Sequence, residues 1–551
     1  MEPLKIIPLG GLGEFGLNMM LIEYGDSAIA VDCGLMFPDA HLLGIDLVIP
    51  DVSYLLEHKD KLKGIVLTHA HEDHVGALPF ILNHFDVPIY GTRLTLGLLA
   101  NKLNEHDLED SADTHEITAG DPWEIAPFRI EGIRVTHSLM DCLALAVQTP
   151  IGTVIHTGDF KIDNTPMEGE MFDFQRFAAY GEKGVLLLLS DSTNVERSGH
   201  TPSEREVGTN LEQIIEKSTG KVLVSTFSSS IPRIQQVVDI SERCERRVVL
   251  SGRSMIRNSQ VAADLGYLRL PRNFMTESER WQDLPSDQLT FLTTGSQGEP
   301  LSVLHRVALD DHKTIQVEAG DTVILSSKFI PGNEKTISNL INHLYRRGAE
   351  VHYEKVSEIH VSGHASQEEL KIMLQLTRPR YFVPIHGEYR HLVRHRRLAQ
   401  DVGVPEENCF ILEDGDVLEL TANNARKTKP IQVGRVFVDG KGVGDVGDVV
   451  IRDRRHLSED GMVLAVMAIH QQSGELVAGP DLISRGFMLA EESEEVLESA
   501  KKEVLAALGA MNRETRTDPE ELKEEVRKVL RRFFRKKLER HPVVLPYIIE
   551  T

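Results

Sequence analysis

Thr68-His69-Ala70-His71-Glu72-Asp73-His74, set directly after the apolar run Gly64-Ile65-Val66-Leu67, decides how the rest of this chain is read. Imidazole and carboxylate groups suit zinc. A strand that ends in a loop turning into a helix can aim His69 and His71 at one ion while Asp73 and His74 face a second. Four ligand-type side chains fall within six residues, and the following Val75-Gly76-Ala77-Leu78 is apolar, so both ends of the segment are expected to be buried. That favours half of a two-metal hydrolytic site over surface histidines on a polar loop. The remaining ligands must come from elsewhere in the chain.

Candidates stand at the ends of other strand-like runs. Ile133-Arg134-Val135-Thr136 leads into His137, Gly152-Thr153-Val154-Ile155-His156-Thr157-Gly158 into Asp159, and Tyr381-Phe382-Val383-Pro384-Ile385 into His386. Each places a ligand type where a sheet edge meets loops. The pattern resembles the metallo-β-lactamase superfamily, whose αββα sandwich collects its ligands on one rim. The resemblance implies a first zinc on His69, His71 and His137, a second on Asp73, His74 and His386, and Asp159 bridging them. It also makes Asp32 a carboxylate that orients the ligand loop.

Length and charge bound the alternatives. At 551 residues the chain exceeds one core and is expected to form about three domains. No signal-peptide pattern opens it, and runs such as Val185-Leu186-Leu187-Leu188-Leu189 are far too short to cross a bilayer, so a cytoplasmic location without membrane attachment is expected. Cys33, Cys142, Cys244 and Cys409 show no paired spacing and are expected to be free thiols. The net charge of −24 argues against nonspecific coating of polyanions, though not against a local basic channel. Gly11-Leu12-Gly13-Glu14-Phe15-Gly16 matches a dinucleotide fingerprint, with Asp32 at a suitable distance. The helix that reading needs is missing: Asn18-Met19-Met20-Leu21-Ile22-Glu23-Tyr24, a turn at Gly25-Asp26-Ser27 and a further strand predict a hairpin.

From about residue 205 helices and short strands alternate. They carry Ser225-Thr226-Phe227-Ser228-Ser229-Ser230, Ser251-Gly252-Arg253-Ser254-Met255, Thr294-Gly295-Ser296-Gln297-Gly298-Glu299-Pro300, Ser326-Ser327 and Pro331-Gly332-Asn333-Glu334. Small hydroxyl and glycine residues at strand ends offer donors to phosphate oxygens. Any one of these loops is explained by ordinary turn chemistry, but several in one insert point to phosphate binding. The chain then returns through His360-Val361-Ser362-Gly363-His364 to His386. This organisation resembles the β-CASP nucleases, and over nearly the whole chain the motifs resemble the bacterial ribonuclease J family.

The resemblance implies an α/β protein: a metallo-β-lactamase αββα sandwich with an inserted β-CASP α/β domain and a small C-terminal α/β domain. The expected boundaries are 1–205 and 351–422 for the sandwich, 206–350 for the insert, 423–433 for a linker and 434–551 for the C-terminal domain. The implied activity is hydrolysis of single-stranded RNA in RNA maturation and mRNA decay. It would run from a 5′-monophosphate end, with additional internal cleavage, by a hydroxide bridging two Zn2+ ions, with Mn2+ or Mg2+ as further metals that support activity. Asp191 is implied as proton donor and His364 as proton acceptor; His360, Val361, Ser362, Gly363, His364, Ser228, Ser229 and Arg253 are implied to contact substrate. A structural Ca2+ on Gly44, Asp46 and Asp439, assembly as a homodimer or homotetramer, and other RNA-decay proteins as partners are further implications. Departures from the family pattern are Pro232, where a histidine is usual before Arg233, Met140 for a proline, and Ala70 for a glycine. A basic helix around Val526, Leu530, Phe533 and Phe534 reads as a solvated face over a packed stripe more readily than as an RNA contact. Rival readings are a small-molecule hydrolase, which has no use for the large insert, a catalytically silent RNA-binding scaffold, which would not need every ligand, and a DNA-directed nuclease, which spacing does not separate from an RNA enzyme.

Overall fold

A computed structural model describes residues 2–39, 41–167, 171–276, 278–330, 333–354, 356–488 and 490–551, with the side chains of 490–493 excepted. Of the loops picked out above, Pro331 and Gly332 lie outside the described residues. The chain forms two compact units, one of residues 1–37 and 47–436 and one of 38–46 and 437–551.

In the first unit two sheets face each other. One has eight strands in the order Ala425–Lys427, Leu418–Leu420, Leu4–Gly10, Met19–Tyr24, Ser27–Val31, Leu62–Val66, Ile89–Gly91, Thr114–Glu116. The other has six: Tyr381–Ile385, Val185–Asp191, Gly152–His156, Leu143–Thr149, Phe128–Arg134, Pro122–Ile125. Alternation decides which side chains meet between them, because successive residues of a strand point to opposite faces. Ile6, Ile22, Val31 and Val66 pack against Ile130, Leu145, Val147, Leu187 and Val383 in one core. The outer face of the second sheet, with Ile155, Leu188 and Phe382, packs against Phe177, Tyr180, Leu370 and Leu374 from helices. Val185–Asp191 is buried at every residue, as a parallel strand covered on both faces must be.

The insert is a parallel sheet of six strands in the order Met275–Thr276, Arg247–Leu250, Leu289–Thr293, Val222–Ser225, Thr322–Leu325, Glu350–His352. Val222 and Val224 face helices Glu204–Lys217 and Ile231–Arg243, while Leu223 faces the side covered by Leu304, Val307, Leu340 and Leu344. A single buried carboxylate fastens the return segment to the sandwich. Glu369 accepts N–H groups from Ile162 and Thr201 at 2.7 Å each and from Ser366 at 2.8 Å. Arg233 is also sealed in, donating to the Ile359 carbonyl at 2.9 Å and to Glu204 at 2.6 Å. The residue after Pro232 is therefore a structural lock.

The stretch read as a linker differs from expectation. Ala425–Lys427 pairs antiparallel with Leu418–Leu420 and forms the edge of the large sheet. Only Ala425 of this strand touches the core, too little to give it a hydrophobic signature, and its basic residues suit an exposed edge. The fingerprint-like glycines form no phosphate-facing helix: Leu12–Gly13 pairs with Gly387–Glu388, and the predicted hairpin Met19–Tyr24 with Ser27–Val31 follows.

The second unit holds a sheet of Leu476–Arg485, Met462–Ile469 and Val543–Glu550. One face, with Val463, Ala465, Met467 and Val544, packs on helices Ala490–Ala510 and Pro519–Leu538. In the latter, Leu522, Val526, Leu530 and Phe534 are buried, the stripe that the sequence predicts. Among the described residues no helix is long and apolar enough to cross a membrane.

Candidate active site

The rim of the sandwich gathers all seven sequence-predicted ligands. His69, His71, His137 and Asp159 place one ligand atom each within 4.8 Å of one another, and so do Asp73, His74, Asp159 and His386. His69 Nε2 lies 3.0 Å and His137 Nε2 3.2 Å from His71 Nδ1. Zn–N bonds of about 2.0–2.1 Å in a tetrahedron set ligand–ligand edges of about 3.3–3.4 Å, so the spacing fits such an ion. Asp159 Oδ2 stands 3.7 Å from His69, 3.8 Å from His137 and 3.3 Å from His74, a position common to both groups. His386 Nδ1 lies 2.9 Å from Asp159, and its Nε2 lies 3.3 Å from Asp73.

His69, His74 and His137 are held from behind, which fixes the tautomer that leaves a lone pair toward the centre. Asp32 accepts the Thr68 N–H and hydroxyl at 2.8 Å each and pairs with His74 Nδ1 at 2.7 Å. Its backbone is left-handed, φ +61°, as is that of His386 at φ +54°. Such conformations concentrate where the surroundings impose them. His137 Nδ1 sits 2.7 Å from the Gly363 carbonyl, and the glycine is required there, since a Cβ would stand 2.6 Å from the ring. Sequence reasoning missed Asn18, whose side-chain amide donates to the Asp73 carbonyl at 3.1 Å, and His156, whose Nδ1 accepts the Gly158 N–H at 3.1 Å. His156 ends the strand that delivers Asp159, which was its only signal.

Electrostatics divides the histidines. Burial holds His69 and His137 well below the ordinary imidazole range, helped by neighbouring rings, and brings His71 to about 4. Burial also opposes charge on His74 and His386, but Asp159 and the other carboxylates outweigh it and raise both well above that range. Asp159 is pushed up by burial and pulled further down by His386, His74 and His364, ending well below the carboxylate range. The carboxylates thus favour the charged form of His74 and His386, the two histidines of the group that would hold the second ion. A donor set of neutral imidazoles and ionised carboxylates suits divalent zinc.

Asp191 is fully buried beside the rim. Its Oδ1 accepts the Thr193 N–H at 2.9 Å and hydroxyl at 2.7 Å, and its Oδ2 lies 2.8 Å from His364 Nδ1. Burial pushes its carboxyl up, but His364 and His386 hold it well below the ordinary range. The proton-donor role expected of Asp191 from the sequence does not suit a carboxyl held in this charged form; Asp191 instead positions His364, the partly exposed member of the pair. The rest of the segment 360–364 turns inward. Val361 joins the core, the Ser362 hydroxyl accepts from Asn194 at 2.7 Å, and Gly363 supports His137. His360 and His364 are the partly exposed residues of the segment.

The phosphate-type loops all follow C-terminal ends of the inserted parallel strands. Val222–Ser225 and Leu289–Thr293 are neighbours whose following helices lead to strands on opposite sides, the switch point at which open parallel sheets bind ligands. Next to it, after Arg247–Leu250 and Leu289–Thr293, the loops are packed closely: a Cβ on Gly252 would meet Thr294 and Val303 at 3.2 and 3.1 Å, and one on Gly295 would meet Ser302 at 2.3 Å, so both positions admit only glycine. Ser228 accepts from Asn258 at 3.1 Å, Ser229 is half-buried, and Arg253 is exposed at the start of helix Arg253–Asp264. Ser326 and Ser327 are engaged internally, with the Ile359 carbonyl at 2.7 Å and with Gln297 at 3.0 Å.

The expected calcium residues sit in the second unit. Gly440 donates to Asp46 at 2.8 Å, while Arg454 pairs with Asp439 and donates to the Leu43 carbonyl at 3.0 Å. The guanidinium also lies 2.7 Å from where a Gly44 Cβ would stand. A cation already neutralises Asp439, so this arrangement does not fit Ca2+, which needs six to eight oxygen ligands.

The two ligand groups on a sandwich rim, joined to an inserted parallel sheet, define a metallo-β-lactamase-fold hydrolase of the β-CASP type. Family comparisons agree: residues 12–190 match the metallo-β-lactamase superfamily, 219–344 the ribonuclease J β-CASP domain, 348–412 the Zn-dependent metallo-hydrolase RNA specificity domain and 449–551 the ribonuclease J C-terminal domain. The chain is 43% identical to ribonuclease J of Thermus thermophilus over 100% of its length and 96% of that protein. It is 40% identical to ribonuclease J of Helicobacter pylori (98% and 79% covered) and 38% identical to ribonuclease J2 of Bacillus subtilis (100% and 99%). The chain belongs to the ribonuclease J family and is a hydrolytic ribonuclease. A crystal structure of a protein of unknown function from Enterococcus faecalis shares the fold, with a TM-score of 0.53 over 76% of this chain and 100% of that one at 15% identity.

Proposed function

We propose that the enzyme removes nucleotides from the 5′ end of single-stranded RNA that bears a 5′-monophosphate, and also cuts internally, in RNA maturation and mRNA decay. The observation that carries this reading is a metal-type rim and, in the same compact unit, hydroxyl- and glycine-rich loops at the C-terminal ends of inserted parallel strands, which would form a phosphate crevice. Backbone and hydroxyl donors at strand ends suit a terminal phosphate group. In this reading the enzyme works in the cytoplasm as a homodimer or homotetramer, with other RNA-decay proteins as partners.

His69, His71 and His137 would hold one Zn2+ and Asp73, His74 and His386 a second, with Asp159 between them; Mn2+ or Mg2+ would also support activity. When bound, the two ions activate water for attack on phosphorus and neutralise charge on the phosphate. The chain's own residues do the rest. Asp32 and the Gly363 carbonyl hold His74 and His137 in the tautomers that face the centre. Thr193 fixes Asp191, and Asp191 fixes His364, so that proton transfer with substrate passes through the imidazole at the rim. Ser228, Ser229 and Arg253 face the 5′-phosphate, and His360 with His364 faces the sugar–phosphate chain.

The test compares 5′-monophosphate and 5′-triphosphate RNAs of one sequence, labelled at the 3′ end, with Mn2+ or Mg2+ and an EDTA control. Metal-dependent conversion of the monophosphate RNA to mononucleotides, with the triphosphate spared, is the expected result. Discrete internal products from both would reduce the reading to endonuclease action, and no cleavage would return weight to a small-molecule hydrolase or a scaffold.

A further inference from the structure

We infer that Asp414 and Glu14 form one hydrogen-bonded carboxyl pair that positions His386 in the rim by holding Leu12–Gly13 against Gly387–Glu388. This rests on the reading of His386 as a ligand of the second ion. His386 needs outside support, because its backbone is left-handed at φ +54° and Gly387 after it has φ +154°. The support comes from the opposite end of the chain. Leu12 lies beside Gly387 and Gly13 beside Glu388 in a two-stranded ladder, and Glu14 makes a further bridge to Gly387. From the same segment the Phe15 ring stands edge-on to the His386 ring, with 6.2 Å between centroids.

Asp414, on the loop before strand Leu418–Leu420, holds that segment. One of its carboxyl oxygens, Oδ1, accepts the Leu12 N–H at 3.1 Å. Its carboxyl group is also hydrogen-bonded to that of Glu14, and Arg435 closes the cluster with an ion pair to Glu14. The loop is itself anchored: Gly415 donates to the Pro8 carbonyl at 2.8 Å and accepts the Ile431 N–H at 2.9 Å. Two carboxyl groups share a hydrogen bond only while one of them keeps its proton. Burial and the neighbouring Glu14 carboxylate push Asp414 up to about 7, against the Leu12 N–H and Arg435. Burial raises Glu14 too, against Arg435, Asp414 and the Gly11 N–H. The other charges of the loop are engaged elsewhere or solvated, Asp416 pairing with Lys427 at 2.6 Å and Glu413 being exposed. One proton thus makes the pair a clasp. Once it is lost, two anions face each other and residues 12–14 lose their hold on Gly387.

Zn2+ binding by the full chain, measured in competition with a chelator between about pH 6 and pH 9, separates positioning from folding. Asp414→Ala removes both bonds and should weaken the second equivalent of Zn2+ about 10- to 100-fold across the range, with the first equivalent unchanged. Asp414→Asn keeps an acceptor for Leu12 and gives Glu14 a permanent donor. The wild-type protein should therefore match Asp414→Asn at the acid end and fall toward Asp414→Ala as pH rises past about 7. Asp414→Ala with wild-type affinity for both equivalents overturns the inference. So does loss of both equivalents together with a fall in Tm, the mark of a structural role. Asp414→Asn that tracks the wild type at every pH also overturns it, since no proton would then be shared, and this arm holds even where the alanine variant does not fold. His386→Ala is the control: if it retains the second equivalent, the ligand reading fails first, and the inference with it.

Discussion

In the metal rim several of the ligand side chains are held by a second group, whereas in the crevice proposed for the phosphate at the end of the inserted sheet the donors would be backbone and small hydroxyls on loops shaped by glycine. His74 has Asp32 behind it and His137 has the Gly363 carbonyl. Gly252 and Gly295 have only close neighbours that forbid a side chain. A metal tolerates ligand errors of about 0.2 Å, so its site demands stiff supports. A phosphate oxygen accepts donors over a wider range, and loops suffice.

Asp159→Ala attacks the rim at the atom shared by both ligand groups. Turnover should fall by about a thousandfold or more, with the circular dichroism spectrum retained, because metal chemistry rather than the core is removed. Appreciable activity in that variant would break the distinction at its strongest point. Asp32→Asn leaves all seven ligands in place and removes only the anion behind His74 and Thr68. Metal affinity, read by competition with a chelator, should weaken about 10- to 100-fold.

The metal-free protein should respond to pH in a way that the crevice does not share. His74 and His386 have raised values in the fold, so their contribution to stability is complete below the unfolded imidazole value and is lost as pH rises through the folded values. The gain in Tm on adding Zn2+ should therefore increase from pH 6.5 upward; a constant gain would show that the carboxylates do not hold these protons. The smallest effect belongs to the crevice. Ser228→Ala removes one neutral hydroxyl among several donors, and KM for 5′-monophosphate RNA should rise about two- to tenfold with kcat unchanged. A loss as large as that of Asp32→Asn would mean that the crevice, too, depends on single supports.

The same contrast explains what the sequence disclosed. His69, His71, Asp73 and His74 are close in the chain, and His137, Asp159 and His386 each end an apolar run, so residue type and position suffice to find them. The sandwich and the inserted parallel sheet were legible in the same way, from apolar runs and turn residues. What the sequence concealed depends on partners distant in the chain. The inward turn of Val361 and Gly363, the anionic state of Asp191 and the sealed position of Arg233 are set by contacts across 126 to 226 residues. The edge strand Ala425–Lys427 was hidden for a different reason: one small residue, Ala425, is all it lays on the core, so nothing in its composition separates it from a linker.

One feature of the topology also governs when this nuclease can act during its own synthesis. Ligands at positions 69 to 74 leave the ribosome long before His386, and Glu369 ties residues 162 and 201 to the returning segment only after the whole insert has emerged. At about 5–20 residues per second, tens of seconds of translation can separate the first ligand from the last. Until then the group of Asp73, His74 and Asp159 lacks His386, and His364 is absent, so cleavage by a nascent chain is expected only after the return segment has emerged.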